Sequence, residues 1–161
     1  MPVFDFRFTV NAPLNVVSDF HFQPGILKRL TPPMMIMQVH HFEPLADDSI
    51  AEFTMWMGPV PVRWKAVHSA VSKTGFTDTQ VEGPMKSWVH THSFVMLDSD
   101  TTEVREHIQF EHFGGLKGLW SRLLFPKPGL LALFTIRKLI TRKHVRRMLV
   151  SRNEGEARTS T

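Results

Sequence analysis

One change of pattern constrains this chain more than any other: about eighty residues of short alternating segments, Met34 to about His112, are followed much later by a single long helical pattern. The alternating segments are rich in β-branched and aromatic residues and read as strands at Met34–Phe42, Ile50–Met57, Val60–Ser72, Phe76–Glu82, Ser87–Leu97 and Thr101–His112. Turn-forming groups separate them at Ala46-Asp47-Asp48, Gly58-Pro59, Lys73-Thr74-Gly75, Gly83-Pro84 and Asp98-Ser99-Asp100. Connections this short join antiparallel neighbours, so the expected sheet is a meander. A further strand opens the chain, because Phe4, Phe6, Phe8 and Val10 recur at period two. It stops at Asn11-Ala12-Pro13, where Asn11 or Ala12 is the expected N-cap of a short helix from Leu14 to about Phe20. A second short helix is expected from Pro24 to Leu30, before Thr31-Pro32-Pro33.

Seven strands with one apolar face cannot bury that face alone. The only segment long enough to cover it runs from about Leu130 to Arg152. There Leu131, Phe134, Lys138, Thr141 or Arg142, Val145, Met148 and Leu149 follow helical spacing, and Arg137, Lys143, Arg146 and Arg147 are expected on the opposite side. Residues 114–129, rich in Gly, Trp and Leu, read as a linker. The expected architecture is therefore α+β: a curved seven-stranded antiparallel sheet around a long C-terminal helix, with two short helices after strand 1. One domain spans 1–152, and 153–161 reads as a flexible polar tail.

With 161 residues, 42% of them apolar, the chain can build one core with a cavity inside it. The absence of cysteine excludes disulfides, thiolate ligands and a thiol nucleophile. The N-terminus alternates and carries charge where a secretory signal needs an apolar segment, so a cytoplasmic protein is expected. Charge is divided unevenly: residues 1–116 hold 8 Lys and Arg against 13 Asp and Glu, and residues 117–161 hold 11 against 2. Arg142, Lys143, Arg146 and Arg147 form a compact basic group, the expected contact should the protein meet an anionic membrane surface. No aromatics are interleaved with it, which argues against nucleic acid. Phosphate-binding glycine loops are absent, so no nucleotide cofactor is expected.

Strand periodicity places candidate pocket residues on one face: Trp64, Ala66 and His68; Phe76, Asp78 and Gln80; Trp88, His90, His92 and Phe94; and Val104, Glu106, Ile108 and Phe110. Leu131 and Phe134 would face them from the helix. Aromatic walls with a few imidazoles, carboxylates and one amide suit an apolar ligand with one polar end. The simplest role for His90 and His92 is as buried histidines hydrogen-bonded to Asp78 or Glu106. A His beside a carboxylate also has a tunable proton, which makes His92, Asp78 and Glu106 the candidates if the pocket does acid/base chemistry. His90-x-His92 permits two metal ligands, with Asp78, Glu106 or His68 to complete a set, but no helical His-x-x-x-His occurs, and no metal is expected. Met34, Met35, Met37, Met55 and Met57 read as irregular core filling, or as a soft binding surface. Trp56 and Trp120 read as core or pocket-rim anchors.

The Phe6–Leu30 segment (a Phe-x-Phe strand, then Ala-Pro, then Asp-Phe-His with Pro24 and Leu27), Phe76-x-Asp78-x-Gln80, Gly83-Pro84, Trp88-x-His90-x-His92-x-Phe94 and Thr102-x-Val104-x-Glu106 resemble the SRPBCC superfamily of START-like and polyketide-cyclase-like proteins, its bacterial members above all. The resemblance implies a helix-grip fold. It implies binding or carriage of a hydrophobic small molecule or lipid between sheet and C-terminal helix, without a cofactor. A cyclase/dehydratase-type enzyme using a His/carboxylate pair in the same pocket is one alternative, and an interaction module without a cavity is another. The cyclase-like pattern carries an aspartate at position 106 and a tyrosine at 110; here they are Glu106 and Phe110, and no phenol donor is available. Oligomeric state is left open.

Overall fold

The computed structural model describes the backbone of residues 1–159, with side chains for 1–152 and Glu154. Strands β1 (Val3–Val10), β2 (Ile36–Phe42), β3 (Ile50–Met57), β4 (Val60–Ser72), β5 (Gly75–Glu82), β6 (Ser87–Asp98) and β7 (Thr101–Glu111) form one antiparallel sheet in the order β1-β7-β6-β5-β4-β3-β2. Helices α1 (Leu14–His21) and α2 (Ile26–Leu30) connect β1 to β2, while α3 (Gly115–Leu124) and α4 (Lys127–Thr159) follow β7. The β2-to-β7 meander arises because each hairpin connection is only a few residues long, and β1 closes the far edge by pairing with β7 from Val3↔Gln109 to Val10↔Thr102. Among the described residues no helix is long and apolar enough to cross a membrane.

The strands behave as their sequence period requires. On β6, Trp88, His90, His92 and Phe94 are buried at every second position, and on β7 Thr102, Val104, Glu106, Ile108 and Phe110 do the same. Pro13 is the N-cap of α1, and neither Asn11 nor Ala12 caps it with a side chain. Gly75 opens β5 at φ 147°, and a Cβ there would lie 2.0 Å from the His92 carbonyl oxygen. Only glycine lets these two backbones approach so closely.

Two stretches differ from expectation. The segment read as a linker contains α3, because Leu116, Leu119, Trp120 and Leu123 have helical spacing that the flanking glycines and prolines obscured. Trp120 is 60% exposed and anchors neither core nor rim. Helix α4 begins at Lys127 and its backbone continues to Thr159, longer at both ends than 130–152. Pro128 is compatible with the first helical turn, where its missing N–H has no partner to lose. Of the stretch read as a flexible tail, Ser160 and Thr161 lie outside the described residues.

Helix α4 lies against the inner face of the sheet and buries Leu130, Phe134, Thr141 and Val145 there. The core has two apolar clusters. One gathers Phe53, Trp64, Trp88, Phe110, Phe125 and Phe134; the other gathers Phe8, Val17, Phe20, Phe76, Phe94 and Val145. Each fully buried side chain of this size contributes roughly 1.5–3 kcal/mol. Between the clusters, a band of polar residues crosses the sheet.

Candidate functional site

The polar band follows from strand register. His68 on β4 stands opposite Asp78 on β5, and Asp78 stands opposite His90 on β6. One step along, His92 on β6 stands between Phe76 on β5 and Glu106 on β7. Because all five polar side chains point inward, neighbours across and diagonal to one another come into bonding range. His68 Nε2 lies 2.9 Å from Asp78 Oδ1, His92 Nε2 lies 3.0 Å from Asp78 Oδ2, and His90 Nε2 lies 2.7 Å from Glu106 Oε2. His92 Nδ1 is 2.8 Å from Glu106 Oε2 but is not aligned for a hydrogen bond, so that contact is a charge pair only. The result is a continuous chain, His68–Asp78–His92–Glu106–His90, in which imidazoles and carboxylates alternate.

A cavity of about 340 Å³ opens over this chain. His68, Asp78, His90 and His92 form its polar wall. Trp64, Trp88, Phe53, Phe76, Phe125 and Phe134 are among its aromatic surfaces, and Ile26, Leu27 and Leu30 of α2 close one side. His21 reaches it from the end of α1, with its ring centroid 4.6 Å from that of Phe94.

Burial and charge divide the titrating groups. Burial opposes a charge on His92, but attraction to Glu106 and the bond to Asp78 outweigh it and raise its pKa to about 9. His90 is lowered to about 4, first by burial and then by the neighbouring His92 cation. His21 is likewise lowered to about 4 by burial, and its Nδ1–H donates to the Val17 carbonyl at 2.8 Å. Burial opposes ionisation of Glu106 and Asp78, yet the imidazoles bonded to them hold both carboxyls well below the usual carboxylate range. His68 is raised: burial opposes its charge, and the bond to Asp78 outweighs it. Its Nδ1 lies 3.0 Å from the Ser49 carbonyl, so both ring nitrogens face acceptors.

No protein-family model and no curated protein matches the sequence. Solved structures do match. A nucleoside-diphosphate sugar epimerase from Corynebacterium glutamicum aligns with TM-score 0.70 at 21% identity, covering 89% of this chain and 29% of that one. The chain thus spans less than a third of the epimerase's length. Norcoclaurine synthase from Thalictrum flavum, in complex with dopamine and hydroxybenzaldehyde, aligns with TM-score 0.62 at 18% identity over 86% of each chain. Major latex-like protein 151 from Panax ginseng aligns with TM-score 0.66 at 14% identity, over 89% of this chain and 96% of that one. The chain shares the helix-grip fold with these structures.

Within this helix-grip frame the expected pocket set divides. Trp64, His68, Phe76, Asp78, Trp88, His90, His92 and Phe134 line the cavity. Gln80 does not: its side chain turns away to the Gly83-Pro84 turn, where its amide donates to the Met85 carbonyl at 2.8 Å. Phe94 and Phe110 are buried in the two apolar clusters. Glu106 stands behind His90 and His92 rather than on the surface. Leu131 is 53% exposed, and Leu130 and Leu133 take the place expected of it. The inward face differs from expectation only over the first turns of α4, while Phe134, Thr141 and Val145 are buried as expected. Arg137 also lines the cavity, opposite to expectation, and Arg142, Lys143, Arg146 and Arg147 are exposed. Met35, Met55 and Met57 line the cavity, but Met34 is 79% exposed.

Asp78, His90 and His92 bring one ligand atom each to within 4.8 Å of one another, the spacing a small cation needs. Here those atoms bond to one another and to Glu106, so both carboxylates are satisfied by imidazoles. Chemically, the wall offers a protonated imidazole, His92, held between two carboxylates and open to an apolar cavity.

Proposed function

We propose that this protein binds a hydrophobic small molecule in the cavity between its sheet and α4. The observation that carries the reading is the cavity itself, about 340 Å³ with predominantly apolar walls and a polar band on the sheet. Ligand pockets of known proteins start at about this size and have this composition. The norcoclaurine synthase that shares the fold holds dopamine and hydroxybenzaldehyde, small aromatic molecules with polar ends. The exposed Arg142, Lys143, Arg146 and Arg147 group is a candidate contact with an anionic surface. An environment-sensitive apolar dye should bind with one-to-one stoichiometry and be displaced by fatty acids or polyaromatics. Failure to bind any member of a broad panel would remove this reading.

One observation supports catalysis as a second reading: His92 and Asp78 face the cavity within hydrogen-bond reach, and both are strongly perturbed. An imidazolium that keeps its proton to about pH 9 can protonate a carbonyl or hydroxyl oxygen at the ligand's polar end, as a cyclisation or loss of water requires. A substrate whose turnover falls as pH rises through 9, with that limb absent in His92→Gln, would establish it.

A further inference from the structure

The cavity side of α4 carries one charge. Leu130, Phe134 and Arg137 recur at four- and three-residue steps, and all three line the cavity. The Arg137 Cζ lies 5.3 Å from the Phe134 ring centroid. Its Nε is buried and has no hydrogen-bond partner among the described residues. None of the ion pairs at 4.0 Å or closer among those residues includes it. Asp78 and Glu106 are near enough to be felt electrostatically, but each is already engaged by two imidazoles. The oxygens of both carboxylates are thus taken up by His68, His90 and His92, and neither pairs directly with Arg137. A guanidinium beside an apolar cavity without a partner is costly, and an anion delivered by a ligand removes that cost.

We propose that the cavity takes an apolar molecule ending in a carboxylate, and that Arg137 binds that carboxylate. This rests on the ligand-binding reading above and makes it specific. The planar fork of arginine suits a carboxylate, and the aromatic walls suit the ligand's body.

The test compares 11-(dansylamino)undecanoic acid with its methyl ester at pH 7.5, by fluorescence titration of the native protein, Arg137→Gln and Arg137→Met. The acid should bind native protein at least about tenfold more tightly than the ester, as a charge-assisted pair provides. Both variants should reduce the acid to the ester's level while changing ester affinity less than about twofold. Met keeps length on an apolar helix stripe, so it guards against a Gln variant that fails to fold. Equal binding of acid and ester by native protein overturns the carboxylate assignment and leaves the pocket reading standing. A preference that survives in both variants also overturns it. Binding of neither probe overturns both readings.

An independent observation lies on the outer surface. Helix α3 exposes Leu116, Leu119, Trp120 and Leu123 by 82, 63, 60 and 68%, at positions i, i+3, i+4 and i+7. Lys117, Arg122 and Lys127 flank this stripe, and no Asp or Glu occurs between His112 and Asn153. Leu124 and Phe125, where α3 ends, line the cavity. An apolar stripe with Trp and Leu, set among cations, complements an anionic lipid surface. We infer that α3 docks on an anionic membrane and brings the cavity to it.

Co-sedimentation with vesicles of phosphatidylcholine alone, or with 30% phosphatidylserine, decides the matter. Salt-sensitive binding to the anionic vesicles that falls at least about fivefold in Trp120→Ser/Leu123→Ser supports the inference. Negligible binding to both, or loss only when Arg142, Lys143, Arg146 and Arg147 are changed to Gln, overturns it. Lipid-free dimerisation abolished by Trp120→Ser would assign the face to a second copy of this chain and overturn it as well.

Discussion

His92 Nε2 stands 3.0 Å from Asp78 Oδ2 across the β5–β6 pairing, and the same ring meets Glu106 on the other side at 2.8 Å. One imidazolium thus bridges two carboxylates contributed by different strands, the partly buried Asp78 and the buried Glu106. The chain of charges ties β5, β6 and β7 together where the two apolar clusters leave a gap. Removing one partner of such a group strands the other charges in low dielectric, which costs about 3–5 kcal/mol. His92→Gln keeps one polar contact and removes the charge. Its melting temperature should fall by on the order of 10 °C, measured by circular dichroism. An unchanged melting temperature would show that the carboxylates are not held by His92.

The same shifts fix a pH dependence. The folded pKa of His92 lies above the unfolded value, so its stabilisation is complete below about pH 6.5 and is lost as pH rises through about 9. His21 and His90 have the opposite sense: their folded pKa values of about 4 mean that the unfolded chain takes up protons first as pH falls below 6.5. Stability should therefore peak near pH 6.5 and decline on both sides, by on the order of 2–3 kcal/mol between pH 6.5 and 9. Urea unfolding across pH 5–9 measures it. His92→Gln should flatten the alkaline limb and shrink the acid limb without removing it, because burial still lowers His21 and His90.

Gly75 provides a backbone test of the same site. A Cβ there would meet the His92 carbonyl oxygen at 2.0 Å, and φ at this residue is 147°, where L side chains are strained. Gly75→Ala must push β5 and β6 apart beside His92. It should destabilise by about 2–4 kcal/mol and weaken dye binding by more than its effect on melting alone, because the His92–Asp78 pair spans that pairing. A variant with native melting and native dye affinity would show that the close approach is not required.

How much of this was legible in the sequence depends on which period controls each residue. Strand alternation is two, so Trp88, His90 and His92, and Asp78 and Trp64, are assigned to one face unless a bulge intervenes, and they share it. Helix α4 was harder. Its apolar residues are numerous enough for two alternatives over the first turns, and hydrophobic patterning favours Leu131 with Lys138 where the structure uses Leu130 with Arg137. A charged residue on a buried stripe is the choice that hydrophobic patterning disfavours, so Arg137 was missed for the reason that makes it interesting. Gln80 was misplaced for another reason. It shares the period of Asp78, but the register shifts between Lys65 and Ala66 on the β4 strand beside it, and its amide is captured by Met85. The cavity walls supplied by α2 and by Leu124 and Phe125 depend on how loops return, which local pattern does not encode.

The cavity exists partly because two small residues meet. Ala51 on β3 and Ala66 on β4 are paired in register, both are buried, and both line the cavity, between larger neighbours such as Phe53 and Trp64. A methyl at each leaves volume that branched side chains would occupy. Ala66→Leu should grow into that space. Each added methylene buried there contributes about 0.8 kcal/mol, whereas the same insertion into a filled core costs about 1–3 kcal/mol through strain. The sign of the stability change therefore reports whether the volume is open. If it is, melting temperature should hold or rise by a few degrees while dye affinity falls at least about tenfold. A lowered melting temperature with unchanged dye binding would mean that position 66 is close-packed and that the dye sits elsewhere.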